Sequence, residues 1–322
     1  MKLKQIYELF VREGIETDPR GIAVAELDLL KRKEEYDALS AEKKALYDIE
    51  SLTNPYYDSR ILNGDPETEV NTVMVGIDIE TPEILLAGQL NNSGKKIDLL
   101  IGHHPEGYAY STFYNVIGMQ SDILNKQGIP VNIAEKMVAS RMKDVKRSIL
   151  PQNNDRVADA AKLLGIPLMT AHTVSDNHVA SFLQKQIDIS NPRYLKDILS
   201  FLNTQPEYQY SAKAGIPPFI LLGNDDSRCG KIFVDMTGGT EGPVESLEKL
   251  ADAGVGTIVG MHMSEKCYKE AEKQKLNVVL AGHISSDNLG LNLLFDKLEN
   301  KFGSLEFIEC SGFRRFKRTV NN

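Results

Sequence analysis

The chain is short of cysteine, of histidine and of long apolar runs, and each shortage excludes something. Three cysteines, Cys229, Cys267 and Cys310, are odd in number and far apart. They cannot form a disulfide framework, and they lack the spacing of a cysteine zinc site. No stretch of about 20 apolar residues occurs, so no transmembrane helix is expected. The first residues meet Glu8, Arg12 and Glu13 too soon to leave the apolar region of a signal peptide. A cytoplasmic protein is expected. Basic residues are outnumbered, 37 Lys plus Arg against 45 Asp plus Glu, for a net charge of −8. That balance argues against a general nucleic-acid-binding surface.

What remains is an ordinary globular composition, 42% apolar and 25% charged, over 322 residues. The length suggests two domains, each able to bury a core. Ile6, Leu9 and Phe10 fall at helical spacing, and Asp18-Pro19-Arg20-Gly21 ends that unit. From Val24 to Ile49 the chain is rich in charged helix formers, and a solvated helical hairpin about Ser40-Ala41-Glu42 is expected. Strands are expected at 72–78, 97–102, 129–133, 166–171, 219–222, 231–234, 256–260 and 277–281. Helical stretches fall between most of them, and a loop from 204 to 218 reads as a linker. Alternating strands and helices indicate an α/β fold with largely parallel sheets, whose sites gather at the carboxyl ends of strands.

The six histidines sharpen this reading. His103, His104, His172 and His283 directly follow apolar strand candidates, and His262 lies just after Gly256–Gly260. A single strand-end histidine says little, because such loops are polar anyway. Five of the six in that position is a concentration. The dyad stands in Gly102-His103-His104-Pro105-Glu106-Gly107, where neighbouring imidazoles can face two ions, or one ion and a substrate. Ala171-His172-Thr173-Val174-Ser175-Asp176-Asn177 is echoed by Gly282-His283-Ile284-Ser285-Ser286-Asp287-Asn288. In each run His and Asp are four apart, one face of a helix. The Asp residues could instead merely cap helices.

Imidazoles and carboxylates without thiolates suit a two-metal hydrolytic site with zinc, iron or manganese, rather than calcium. A Gly-rich segment, Asp235-Met236-Thr237-Gly238-Gly239-Thr240-Glu241-Gly242, lacks the lysine of a phosphate loop. It reads equally as a tight packing turn or an anion cradle.

These three separated motifs, His103-His104-Pro105, His172 with Asp176, and His283 with Asp287, resemble the Ngg-one-interacting-factor-three (Nif-three-like) family. Its members are also known as type-two homologues of GTP cyclohydrolase one. The resemblance runs from about Asn71 to the C-terminus. It implies two layered α/β domains with a dinuclear metal site in the cleft between them, and homo-oligomers, commonly hexameric rings. The division it suggests is a helical N-terminal extension at 1–55, a main domain of 56–192 with 276–322, and a second domain of 193–275.

By position, the resemblance puts His103 and His104 on different metals, Asp176 on one and His283 on the other. His172 would be a weak ligand or stand behind the ligands. The bridging position, usually Glu in the family, is Asp287. A side chain one methylene shorter must bring its helix closer or hold one metal only. Two functions follow. The first is a metal-dependent hydrolase of a small nucleotide-like or heterocyclic substrate, with Glu106, His262 or Glu265 as general acid or base. The second is a non-catalytic metal carrier or regulatory scaffold. A transcriptional adaptor ranks last, since no low-complexity or activation-like segment accompanies it.

Overall fold

The computed structural model describes residues 1–318. Its strands are β1 (Ile61–Asn63), β2 (Thr72–Gly76), β3 (Leu99–Gly102), β4 (Leu168–Thr170), β5 (Phe219–Leu222), β6 (Lys231–Asp235), β7 (Val255–Gly260), β8 (Asn277–Leu280) and β9 (Glu306–Glu309). They form two sheets, ordered β1-β4-β3-β2-β9 and β5-β8-β7-β6. In each sheet the first strand is antiparallel to its neighbour and the rest are parallel. The fold is α/β, as the alternation of strands and helices predicts.

Setting β5 to β8 against β1 to β4 gives the same order and directions twice, with β9 added to the first sheet. The echo in the sequence is therefore an echo in topology. β4 leads into the helix Thr173–Ser190, and β8 leads into the helix His283–Phe302. The loop after β3 begins His103-His104, and the loop after β7 begins Met261-His262. The strand β8 lies in the 276–322 stretch grouped above with the main domain, yet it pairs with β5 and β7 of the second sheet.

The two long helices lie between the sheets. Val174 with Leu291, Leu294, Phe295 and Leu298 packs on the first sheet, while Val179, Leu183, Ile187 and Leu289 pack on the second. The N-terminal helix Leu3–Glu16 joins the first of these cores through Leu3, Ile6, Leu9 and Phe10, all at most 2% exposed. It is an integral wall of that unit. The following helix Ile22–Asp37 is solvated, with Ala25 its one buried residue. Helices Thr81–Asn92 and Arg156–Leu164 cover the outer face of the first sheet. Helices Val131–Ile149, Ser246–Asp252 and Glu265–Lys273 cover that of the second.

Two expected elements differ. Residues 129–133 begin a helix rather than forming a strand. Pro130 caps it with φ −54°, a value a helix start accepts, and Ala134, Val138, Val145 and Ile149 supply a buried stripe at helical spacing. The expected linker contains the helix Pro206–Lys213, whose Glu207 and Tyr208 are buried. Its proline sits in the first turn, where no backbone N–H is missed.

Candidate metal centre

Both sheets deliver side chains to one cleft at the carboxyl ends of their strands. His103 and His104 leave β3 with backbone N–H groups bonded to the carbonyls of Gly76 and Ile77, at 2.9–3.1 Å. Their rings stand 5.0 Å apart at 53°. His103 is 1% exposed. His172 caps the helix Thr173–Ser190, and one turn on that helix presents Asp176. His283 and Asp287 repeat this on the second long helix, after Gly282 at φ 103°, a conformation that suits glycine. The two helices touch closely at Gly290, where a Cβ would lie 2.4 Å from the Ser175 carbonyl oxygen.

Three imidazoles are held by their Nδ1 atoms. His104 Nδ1 is 2.6 Å from Asp78 Oδ1. His172 Nδ1 is 2.8 Å from Asp58 Oδ2. His103 Nδ1 is 2.9 Å from Ser175 Oγ, which also lies 3.0 Å from the carbonyls of Ala171 and His172. The Ser175 hydroxyl hydrogen goes to a carbonyl, so its oxygen accepts from His103 Nδ1–H. That tautomer leaves the His103 Nε2 lone pair free, as a metal ligand requires. Burial raises the Asp58 pKa, but hydrogen bonds from His172 and Thr173 outweigh it, and the group stays ionised.

The opposite atoms converge. His103 Nε2 lies 3.5 Å from Asp176 Oδ1 and 3.4 Å from Asp287 Oδ1. Asp287 Oδ2 lies 3.7 Å from His104 Nε2 and 3.6 Å from His283 Nε2. His172 Nε2 is 3.7 Å from Asp176 Oδ2. His103 Nε2, Asp176 Oδ1 and both Asp287 oxygens are buried and have no hydrogen-bond partner. Each such orphan costs roughly 1–3 kcal/mol, which a protein does not assemble fourfold without compensation. Ligand atoms bonded to one ion at 2.0–2.2 Å stand roughly 3.0–3.5 Å apart, close to these separations. Three sets of side chains are compact enough to hold an ion: His103–His104–His172, His104–His283–Asp287 and His103–Asp176–Asp287. Asp287 aims one oxygen at His103 and the other at His104 and His283, so the shorter carboxylate reaches both sides.

Electrostatics agree with a cation-shaped gap. Burial pulls His103 down to about 4 and lowers His283 too, so both rings are neutral at pH 7 and can ligate. Asp176 is pushed well up by burial, with Asp287 and Asp58 adding to it. His172 rises to about 9, burial being outweighed by Asp176 and Asp58. Without a cation the cleft therefore stores protons that an ion would displace.

The acid–base candidates separate. Glu106 lines the outer cavity, and burial with neighbouring Glu80 and Asp78 raises it to about 7. His262 is exposed, its ring 5.0 Å from that of His283. Glu265 is not brought to the cleft: it is exposed, pairs with Lys269 at 3.0 Å and lines neither cavity there. The Gly-rich turn is bound to Gln120, whose Nε2 donates to the carbonyls of Gly238 and Thr240 at 2.9 and 2.7 Å. It is a packed turn that walls the cleft. Asp58, Asp78 and Ser175 are supporting residues that motif reading missed. Asp78 lies two residues past β2, and that place beyond a strand end was the one available signal.

The fold has a solved counterpart. A NIF3 superfamily protein from Sphaerobacter thermophilus superposes with a TM-score of 0.68 at 27% identity, over 80% of this chain and 92% of that one. The chain is similar in fold and sequence to NIF3 superfamily proteins. Reduced HcgD from Methanocaldococcus jannaschii is also similar, at TM-score 0.47 and 17% identity over 79% of this chain and 88% of its own. No protein-family model matches the sequence, and no curated protein matches it. Among the described residues no helix is long and apolar enough to cross a membrane.

Proposed function

We propose that the chain is a dinuclear metal-dependent hydrolase acting on a small nucleotide-like or heterocyclic substrate. The observation that carries this reading is the set of four buried, unpartnered atoms on His103, Asp176 and Asp287. His103 and Asp176 would hold one divalent ion, His104 and His283 the other, and Asp287 would serve both. Zinc, iron(II) or manganese fits this mixed nitrogen and oxygen set. Bound there, the pair would supply Lewis acidity and lower the pKa of water.

The protein's own groups do the rest. Asp58, Asp78 and Ser175 fix the imidazole tautomers. Glu106, near neutrality at the mouth of the cleft, gives and takes a proton. His262 faces the substrate from the second sheet. A cytoplasmic homo-oligomer, a ring of six by family resemblance, completes the proposal.

One observation favours the carrier reading. The His104 and His283 side chains are 27% and 41% exposed, so an ion on that side can exchange. Metal-loaded protein assayed against phosphoesters, cyclic amides and nucleotides separates the two, with His103→Ala as control. Turnover lost in the variant supports the hydrolase. No turnover, with readily exchanging metal, supports the carrier.

A further inference from the structure

A cavity opens from the metal centre toward the second sheet. At its near end are His172, Asp176 and His283, and at its far end Leu247, Ile258 and Cys267, which are buried core residues. A water-sized sphere can be centred within about 100 Å³ of it, which is room for one compact ring and less than the roughly 300–1,000 Å³ of pockets that hold drug-sized molecules. Met236, Met261 and Met263 give it a soft apolar wall.

One wall carboxylate is unpaired. Asp235 closes β6, lines this cavity, and its carboxylate makes no hydrogen bond or ion pair among the described residues. The other carboxylate of that wall, Glu241, is tied down by the Ser264 backbone N–H at 2.8 Å. No lysine or arginine lines the cavity.

We propose that this cavity is the substrate subsite of the metal centre, and that it takes a compact, largely apolar ring presenting a protonated or N–H-donating nitrogen to Asp235. The proposal rests on the centre being catalytic. Three physical points support it. A half-buried carboxylate facing an apolar wall without a cation is partly desolvated, and a ligand nitrogen offsets that cost. Burial and Glu241 raise Asp235 to about 6, which still leaves it ionised at neutral pH. A phosphate or carboxylate beside Asp235 would meet that carboxylate and Glu241 with no lysine or arginine to receive it, and the His172 imidazole is already engaged by Asp58 and Asp176. The ring's other edge would then face His283 and Asp176, where the ions belong.

The test uses the full chain stripped of metal by a chelator, so it is independent of the metal reading. Benzamidine, benzamide and benzoate are three rings of one size carrying a cation, a neutral amide and an anion. Each is titrated by calorimetry, with the methionine methyl NMR signals reporting location. The expected result is benzamidine binding about tenfold or more tighter than benzamide, benzoate not binding, and shifts at Met236, Met261 and Met263. Asp235→Asn should abolish the preference and leave benzamide unchanged. Met261→Lys, which puts a cation in the cavity without touching Asp235, should also expel benzamidine and covers the case of a poorly folded Asp235→Asn. Benzoate binding as well as benzamidine, or a preference that survives both variants, overturns the proposal. Benzamidine binding in a chain that takes no metal keeps the subsite and sinks the centre. Two bound metals with no Asp235-dependent preference do the reverse.

Discussion

Asp287→Asn is the substitution that separates a shared ligand from a merely structural carboxylate. Asp287 is fully buried, and its two oxygens point to opposite sides, one at His103 and one at His104 with His283. An ion that binds only the folded chain, at 100 times its dissociation constant, adds about 2.7 kcal/mol. Two such ions add about twice that. A chain of 322 residues has an unfolding entropy of about 0.7 kcal/mol/K, so the two ions raise Tm by about 8 °C. Scanning calorimetry with and without zinc or manganese reads this directly. Asp287→Asn keeps the volume but removes the charge that serves both ions, so its metal-induced rise should fall below about 2 °C. His103→Ala spares His104, His283 and one Asp287 oxygen, and should keep about half the wild-type rise. If Asp287→Asn also keeps half, the carboxylate serves one ion only and the shared-ligand reasoning is wrong.

Three further outcomes follow from the same geometry. Asp176 has a folded pKa raised above 3.8, so wild-type stability without metal falls as pH rises through that window. Asp176→Asn, permanently neutral, should be the more stable chain in urea at pH 8 under chelation, with the gap closing toward pH 4. Glu106 is held near 7, so kcat/KM of the metal-loaded protein should carry a limb near that pH which Glu106→Gln removes. An unchanged profile would dismiss Glu106 as acid or base. Gly290→Ala places a Cβ 2.4 Å from the Ser175 carbonyl. Overpacking of about 1–3 kcal/mol should lower Tm by about 2–4 °C, and spreading Asp176 from Asp287 should weaken metal binding at least as visibly.

How much of this was legible in the sequence depends on which residues carried it. Strand ends followed by histidine were readable because β3, β4 and β8 are short apolar runs and imidazole is rare in this chain. The His–Asp spacing of four was readable because both pairs lie in the first turn or so of a helix. Residues 129–133 were not, since Ile129, Val131 and Ile133 about a proline fit a strand or a buried helix start equally well, and only packing on the second sheet decides. The edge strands β1 and β9 are three and four residues long, too short to show a period. Asp58 and Asp78 are residues that ordinarily belong to turns, and nothing local distinguishes a carboxylate that holds an imidazole from one that faces water. Glu265 sits in the first turn of its helix, where helix geometry turns it to solvent beside Lys269.

The central claim, two ions sharing one buried carboxylate, is tested most directly by metal content per chain together with anomalous scattering at each metal's absorption edge. The account predicts two ions, one beside His103 and Asp176 and one beside His104 and His283, with Asp287 touching both. A chain that takes up no metal after both aerobic and anaerobic preparation, or that holds a single ion away from Asp287, would contradict it.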